Sequence, residues 1–309
     1  MINFKLIIMA SCTLALSAAP HYDNIVTCTT SKTGDIVVKN GEPYIVVDNK
    51  TIRQIENNQK FSKICTSKVT NMSELFQNNT SFNEDIGHWD VSHVRNMAHM
   101  FDGAKIFNQD IGHWDVSHVG YMAGMFRNSH YFNQNINKWD VSHVRNMAYM
   151  FKHAKAYNQP MDKWDVTGLV SFSSLFSGTD NFNQNINNWD VSNIKDMRWM
   201  FNNAIAYNQP MNKWNVSNVK EMELVFNNAR SFNQDITMWD VSNVRNMEMM
   251  FNKARNFNQD LSKWKISIEI IGKPKYFDSS TKNWNKKKPS WTGKIEALNV
   301  DENKTMNIF

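Results

Sequence analysis

The sequence predicts an α/β fold, a right-handed solenoid of eight coils with one strand and one helix in each coil. The first observation is a tryptophan that recurs every 25 residues. It stands at Trp89, Trp114, Trp139, Trp164, Trp189, Trp214, Trp239 and Trp264. The second is an apolar spacing that changes within each period from alternation to steps of three and four. Fixed periods of about 20 to 50 residues are typical of solenoids and propellers, so residues 65–264 are predicted to form one eight-repeat unit with terminal caps.

Residues 1–19 have the pattern of a signal peptide. Lys5 supplies a positive charge, Leu6–Leu16 is mostly apolar, and small residues before Ala19 suit cleavage. The apolar run is shorter than the roughly 20 residues of a membrane-spanning helix. The alternative is a lipoprotein signal acylated at Cys12, but the apolar run continues past that cysteine. The sequence therefore predicts a secreted or cell-surface protein without a transmembrane segment after signal removal, and the periplasm is an open alternative.

Residues 20–64 are predicted to form an N-terminal cap. A β-hairpin is expected around residues 40–41, because Asn-Gly is the strongest short signal for a hairpin turn. A short helix is expected from Ile52 to Phe61. Removal of the signal leaves Cys28 and Cys65, which are predicted to form a disulfide in an exported chain, with two free thiols as the alternative.

The strand of each coil is predicted at the tryptophan. Trp89 and Val91 alternate with Asp90, which is strand periodicity, and Trp and Val favour strands. Ser92 then stands where its hydroxyl can cap the first turn of a helix. The predicted helix carries one apolar face. Its residues are Val94, Met97, Met100, Phe101 and Ala104.

The periodic apolar columns are interpreted as core, because a side chain that recurs in every coil serves the packing of every coil. The slot of Met97 is filled by Phe172 in one repeat, which only an apolar environment accepts. An invariant asparagine follows the loop aromatic and is interpreted as a structural ladder that bonds loop backbone. It stands at Asn83, Asn108, Asn133, Asn158, Asn183, Asn208, Asn233 and Asn258.

The candidate ligand face is a column of acidic residues between the two inward apolar positions of each strand. The carboxylates are Asp90, Asp115, Asp140, Asp165, Asp190 and Asp240. The neighbouring candidates are His88, His113, Lys138, Lys163 and Lys213. Two interpretations stay open: the carboxylates bond the following turn with charge balance from the neighbouring column, or the row binds a cationic ligand or Ca²⁺.

Eight of the nine histidines fall in the first four repeats. Stacked histidines such as His93, His118 and His143 can bind a transition metal or respond to acid. Because no cysteine or tight ligand cluster accompanies them, an exposed surface is the favoured interpretation and no metal site is predicted.

Composition and motifs argue against an enzyme. The chain has 309 residues, is 41% hydrophobic and carries a formal net charge of +5. Residues 265–309 form a basic cap or tail that contains nine lysines and five acidic residues. Solvated lysine-rich ends are common, so no nucleic-acid partner is predicted. No G-x-S-x-G, H-E-x-x-H or phosphate-binding loop occurs, so neither catalysis nor a cofactor is expected.

The repeat resembles that of the BspA-like, Mycoplasma lipoprotein-associated family of bacterial surface proteins. The resemblance rests on Ile86-x-x-Trp89-Asp-Val91 followed by Met-x-x-Met-Phe and closed by Phe107-Asn-Gln. The first part also maps onto the L-x-x-L-x-L core of a leucine-rich repeat. The likeness covers residues 65–264. It implies a leucine-rich-repeat-like solenoid on an exported bacterial protein, with adhesion or host contact in some members.

The sequence thus predicts a monomeric, non-enzymatic recognition protein that binds a protein or a glycan. The alternative is a structural spacer of the cell envelope with no ligand of its own.

Overall fold

The structure is a computed structural model that describes residues 24–55 and 60–291. The predicted signal peptide with Cys12, and the end of the basic tail after residue 291, lie outside the described residues.

The N-terminal part of the described chain is a three-stranded sheet. Strand β1 (Ile36–Lys39) pairs antiparallel with β2 (Glu42–Asp48), and β2 pairs in parallel with β3 (Ile64–Lys68). The hairpin turn contains Asn40 and Gly41, with φ of 53° and 79°. Both residues adopt this left-handed region at low cost, which is why the pair favours such turns.

The helix predicted from Ile52 to Phe61 is wrong where the structure describes it. A 3₁₀ turn spans Thr51–Gln54, and the chain is extended at Ile55. Residues 56–59 lie outside the described residues. A second 3₁₀ turn, Phe61–Lys63, leads directly into β3, so the sheet extends into the first predicted repeat.

The predicted right-handed, leucine-rich-repeat-like solenoid of eight strand–helix coils is wrong. The described residues contain the three-stranded sheet and no α-helix, and from Val69 onward the chain consists of turns, irregular segments and single bridges. The 25-residue period is nevertheless real. Parallel bridges join Asn71 to Asn96, Asn96 to Tyr121 and Tyr121 to Asn146. We call each repeating segment a layer, and equivalent residues of successive layers a column.

The predicted helix is absent because alternate N–H groups bond to the next layer. Met97, His99 and Phe101 donate to carbonyls 24 residues further on, at 2.8–2.9 Å. The intervening N–H groups close turns, as when Met100 donates to the carbonyl of Met97. His99 has a positive φ of 57°, which an α-helix does not allow. Consecutive turns, each closed by a bond between residues three positions apart, place apolar side chains at helical spacing without forming a helix.

The predicted strand at the tryptophan is also absent. Trp89 donates its N–H to the carbonyl of Ile86, and Val94 donates to Val91, so a turn stands on each side of the segment. The bridges between layers run instead through the column of Asn96. Ser92 therefore caps no helix.

The apolar columns form one continuous core, as the sequence predicts. The eight periodic tryptophans are at most 4% exposed. Their rings stack between layers, with Trp89 and Trp114 6.3 Å apart and 1° from parallel. Phe101 and Phe126 stack at 5.7 Å, and Phe172 is fully buried in its column. Stacked aromatic rings bury large apolar surfaces and stabilise each layer on its neighbours.

Candidate functional site

The column of acidic residues forms turns rather than a free binding row. In Asp115 and Asp140, Oδ1 accepts both the N–H and the hydroxyl of the serine two residues later, at 3.1 and 2.6–2.7 Å. The same bonds recur in four further layers. They hold Asp90, Asp165, Asp190 and Asp240, and the partner is a serine or a threonine. Ser192 donates to Asp190 through its N–H.

These bonds stabilise the charged carboxylates. The hydroxyl and N–H of Ser142 hold the pKa of Asp140 below its ordinary value, and the corresponding serines do the same for Asp190 and Asp240. Asp90 is buried, and its Oδ2 accepts a further bond from the Ser67 hydroxyl at 2.6 Å. Local structure therefore uses Oδ1 of every acidic residue in the column, and in Asp90 it uses Oδ2 as well.

The neighbouring column connects layers at its N-terminal end. His88 Nε2 lies 3.1 Å from the carbonyl of Ile64, and His113 Nε2 lies 2.6 Å from that of Gly87. The imidazole N–H must be the donor because a carbonyl only accepts. Burial lowers the pKa of His88. Further along, Lys138, Lys163 and Lys213 are exposed.

The hairpin lies over the first two layers and brings further side chains close to His88 and His113. Together they surround a cavity of about 530 Å³, which we call the N-terminal cleft. Its volume lies within the range of about 300–1,000 Å³ that is usual for ligand sites. Its lining consists of Asn24, Lys39, Asn40, Tyr44, Ser62, Lys63, Asp85, Gly87, His88, Gln109, Asp110 and His113.

An aromatic ring and a cation lie on the hairpin side of the cleft. The Tyr44 ring is 5.2 Å from the ring of His88, at 43°. Lys63 Nζ lies 5.6 Å from the Tyr44 ring centre and 2.7 Å from the carboxylate of Glu42. Lys39 donates to the carbonyl of Ile25. Tyr44 is half-buried, so part of its side chain is accessible.

Two carboxylates lie on the layer side of the cleft. Oδ1 of Asp85 accepts the N–H of Gly87 at 2.9 Å, and Oδ1 of Asp110 accepts that of Gly112 at 3.0 Å. Within the described chain, neither Oδ2 has a hydrogen-bond partner. Asp85 and Asp110 thus keep one acceptor oxygen each, and unlike the residues of the acidic column they line the cleft.

Gly112 allows this part of the cleft to pack closely. A Cβ at this position would lie 2.2 Å from the carbonyl oxygen of Asn135 in the next layer, so no other residue fits without a backbone shift. The layers are therefore closely packed beside the exposed carboxylate of Asp110.

Only part of this site could be recognised from sequence. His88 and His113 were candidates and do line the cleft, whereas the predicted carboxylates from Asp115 to Asp240 do not. Asp85 and Asp110 carried a usable signal, because they are adjacent carboxylates of one column three residues before the two histidines. Tyr44 carried none, since only the folded hairpin places it there.

The remaining histidine candidates do not form a metal centre. Nδ1 of His93, His118 and His143 each lies 3.1–3.4 Å from the hydroxyl of the preceding serine, on the exposed surface. Across residues 24–55 and 60–291, no group of three His, Cys, Asp or Glu side chains is placed to hold a metal ion.

A disulfide joins the two cysteines of the N-terminal sheet region. Cys28 and Cys65 are bonded, with Cα atoms 6.3 Å apart and a sequence separation of 37. Cys28 also donates its N–H to the Ser67 hydroxyl at 3.0 Å. The bond ties the segment before β1 to β3, next to the residues that form the cleft.

In the described part of the chain, no helix has the length and apolar character needed to cross a bilayer. None of the curated proteins matches this sequence. A family described as Mycoplasma protein of unknown function, DUF285, matches residues 48–164 and 170–291. These two ranges take in the last residue of β2, the repeated layers and the described C-terminal region, which is well over half of the chain. The chain belongs to the DUF285 family.

Proposed function

We propose that this protein is an exported, non-enzymatic recognition protein that acts as a monomer and binds a glycan in the N-terminal cleft. The observation that carries the proposal is the convergence of the Tyr44 ring with the carboxylates of Asp85 and Asp110 in one cavity. Membership of a bacterial repeat family of unknown function is compatible with a surface role.

The cleft chemistry suits a ligand rich in hydroxyl groups. A carboxylate oxygen accepts a hydrogen bond from a hydroxyl, and the amide of Gln109 and the Lys63 ammonium can donate to one. The partly accessible Tyr44 ring offers an apolar face against which a sugar ring can pack. Polar groups of both kinds around one aromatic ring thus fit a saccharide better than a purely apolar or purely anionic ligand.

The arrangement does not favour catalysis. His88 and His113 each use Nε2 to bond a backbone carbonyl, so that nitrogen is not available as a base. We therefore propose binding without chemical conversion.

A glycan array tests the proposal directly. The full-length mature protein is applied to immobilised oligosaccharides beside Tyr44→Ala, Asp110→Asn and the control Asp190→Asn. Asp110→Asn keeps an oxygen to accept the Gly112 N–H, whereas Asp190 forms the same kind of turn outside the cleft. We expect a restricted set of glycans to bind the parent and the control, and to be lost with Tyr44→Ala.

The result would contradict the proposal if no glycan bound, or if Asp190→Asn removed binding and Tyr44→Ala did not. Thermal melting of each variant shows whether a loss of binding reflects a loss of folding.

The spacer function is the second candidate, and the turn bonding of the acidic column favours it, because that column offers little for a ligand. The two functions predict different results on the glycan array, because a spacer would bind no glycan, either as the parent protein or as a variant.

Export is tested by protease treatment of intact cells, with mass spectrometry of released peptides and of the mature N-terminus. Peptides from residues 65–264 would support surface exposure, and the N-terminal peptide would distinguish cleavage near Ala19 from acylation at Cys12. Protection until the envelope is permeabilised would contradict the surface role.

A further inference from the structure

A basic cavity lies in the last two layers of the described chain, far in sequence from the N-terminal cleft. It measures about 420 Å³ and is lined by Lys253, Arg255, Ser280, Lys282 and Asn283. We call it the C-terminal cavity. Three of its five lining residues are cations and none is an anion, whereas the N-terminal cleft contains both.

The cavity forms where the repeat changes length. Positive φ values occur at Met249 and Lys253 and then, 27 residues later rather than 25, at Tyr276 and Ser280. Lys253 donates its N–H to the carbonyl of Ser279, which sets the last layer beside the previous one. The two extra residues therefore lie between Lys253 and Tyr276.

This register makes Arg255 and Lys282 neighbours in one column. Adjacent layers that are bonded through their backbones lie about 4.8 Å apart. The two positive side chains therefore start from neighbouring layers on the same side of the chain. Lys253 adds a third cation from the adjacent column.

Among the described residues, no carboxylate is paired with the positive charges of the cavity. No ion pair within the described residues includes Lys253, Arg255 or Lys282. The nearby carboxylate of Asp278 is already paired with both Lys273 and Lys288. Cations held around one cavity repel one another, and a bound anion relieves this repulsion.

The column of Arg255 contains a carboxylate in the middle of the protein. Lys105, His130 and Lys155 occupy three successive layers, and Asp180 occupies the next. Burial lowers the pKa of His130, the charge of Lys155 lowers it further, and the charge of Asp180 raises it. A carboxylate thus acts on this stretch, whereas no carboxylate of residues 24–55 and 60–291 forms an ion pair with a cation of the C-terminal cavity.

We propose that the C-terminal cavity binds the phosphate or sulfate group of a ligand. A guanidinium donates two parallel hydrogen bonds to such an oxyanion, and ammonium groups supply further charge. The Ser280 hydroxyl and the Asn283 amide add neutral donors. The cavity exceeds the volume of a bare oxyanion, so it also accommodates part of the molecule that carries the group. This site is separate from the proposed glycan cleft and does not depend on it.

The test is calorimetric titration of the full-length mature protein with inorganic phosphate and, separately, inorganic sulfate at constant ionic strength. The variants are Arg255→Gln and Lys282→Gln. The control is Lys155→Gln, which removes the same charge from the same column beside Asp180. Thermal melting in chloride establishes that each variant is folded.

We expect one saturable site in the parent and in Lys155→Gln, with affinity about tenfold lower in Arg255→Gln, since charge-assisted hydrogen bonds are lost. Lys282→Gln should weaken binding in the same direction. A parent that shows no saturation, or an equal loss in Lys155→Gln, would overturn the proposal. Tyr44→Ala should leave this titration unchanged, which separates its outcome from that of the glycan cleft.

A second titration distinguishes the two sources of the group. A sugar phosphate monoester and the sulfate ester of the same sugar are compared on the parent protein. If one ester binds more tightly than the corresponding inorganic ion, the ligand of the cavity is assigned to the phosphate esters or the sulfate esters accordingly. Binding of neither ester, while the inorganic ions bind, would overturn the claim that the site serves a larger ligand.

Discussion

At the scale of single residues, availability for binding depends on how each polar atom is already used. Asp140 and Asp110 are both exposed carboxylates, and each forms a turn through Oδ1. The serine hydroxyl gives Asp140 a second local bond, and Asp110 has a glycine in that place, so it lacks one. The acidic column was therefore a reasonable candidate from sequence, and the serine two residues later indicated the competing structural role.

Two buried tyrosines show the cost of an unused polar atom. The hydroxyls of Tyr157 and Tyr207 are buried without a hydrogen-bond partner in the described chain, and burial raises the pKa of both groups. The same column holds phenylalanine in other layers, for example Phe182 and Phe232. Because an unsatisfied buried hydroxyl is desolvated without compensation, Tyr207→Phe should stabilise the protein by about 1 kcal/mol.

Urea unfolding followed by tryptophan fluorescence measures this change. The control is Tyr121→Phe, because Tyr121 is 55% exposed. A loss of stability in Tyr207→Phe would show that its hydroxyl has a partner.

His88 should make the N-terminal end sensitive to acid. Burial lowers its pKa in the folded state below the ordinary value of 6.5. The unfolded chain therefore binds the proton first, and stability is lost as the pH falls from about 6.5 toward the folded pKa. His88→Asn should reduce this loss, because asparagine in the same column, Asn188, bonds the preceding layer through its amide at 2.6 Å.

The measurement is the melting temperature between pH 7 and about pH 5. The exposed His118→Asn serves as the control and should keep the parent's profile. An unchanged profile in His88→Asn would exclude this histidine as the source of the sensitivity.

At the scale of elements, the 25-residue period and the buried positions were predictable, and the type of secondary structure was not. Apolar steps of three and four fit both an α-helix and consecutive turns, because both return a side chain to one face after three residues. The distinguishing signal lay in the polar positions. Gly103, Gly178 and Asn203 stand in one column, where a helix interior would disfavour them and a left-handed turn residue is needed.

Glu74 provides a direct test of this difference. It is exposed, and its φ of 60° is unfavourable for a residue with a Cβ. Glu74→Gly should therefore stabilise the protein by about 0.5–1 kcal/mol after the entropy cost of glycine. In a helix the same change would destabilise by about 1 kcal/mol. Thermal unfolding of Glu74→Gly beside Glu74→Val measures the effect, and the valine variant should be less stable than the parent.

The asparagine ladder is an element whose role was predictable. The Asn158 side-chain oxygen accepts the N–H of Asn183 at 2.9 Å, and the Gln184 amide bonds the Asn158 carbonyl at 3.0 Å. The same pattern links neighbouring layers along the column. Loop backbone in a stack needs such partners in every layer, so an invariant polar residue beside core aromatics indicates structure rather than a site.

At the scale of the whole molecule, both proposed sites lie where the repeat is interrupted. The N-terminal cleft forms between the sheet and the first layers, and the C-terminal cavity forms in the layer with two extra residues. A repeated layer buries its apolar side chains against equivalent neighbours, and the cavity of about 410 Å³ beside Asp162 and Lys213 lies within these regular layers. Sequence periodicity therefore located the core well and the sites poorly, since Tyr44 and Lys282 lie outside the predicted repeats.

Because layers contact mainly their neighbours, damage at one end should stay local. The Cys28–Cys65 disulfide closes a segment of 37 residues, and its removal should cost about 3–4 kcal/mol by the loop-entropy estimate. In the variant Cys28→Ser/Cys65→Ser, we expect faster hydrogen exchange in β1, β2 and β3 and little change beyond residue 200. Exchange that increases equally along the chain would show that the layers unfold as one unit.

The most direct test of the account is hydrogen exchange of the full-length mature protein with and without the oligosaccharide that the array selects. A glycan held in the N-terminal cleft should slow exchange in peptides around Tyr44, Asp85 and Asp110, with no change around Arg255 and no change in Tyr44→Ala. Protection along the column from Asp115 to Asp190 instead, or equal protection in Tyr44→Ala, would contradict the assignment of the cleft as the recognition site.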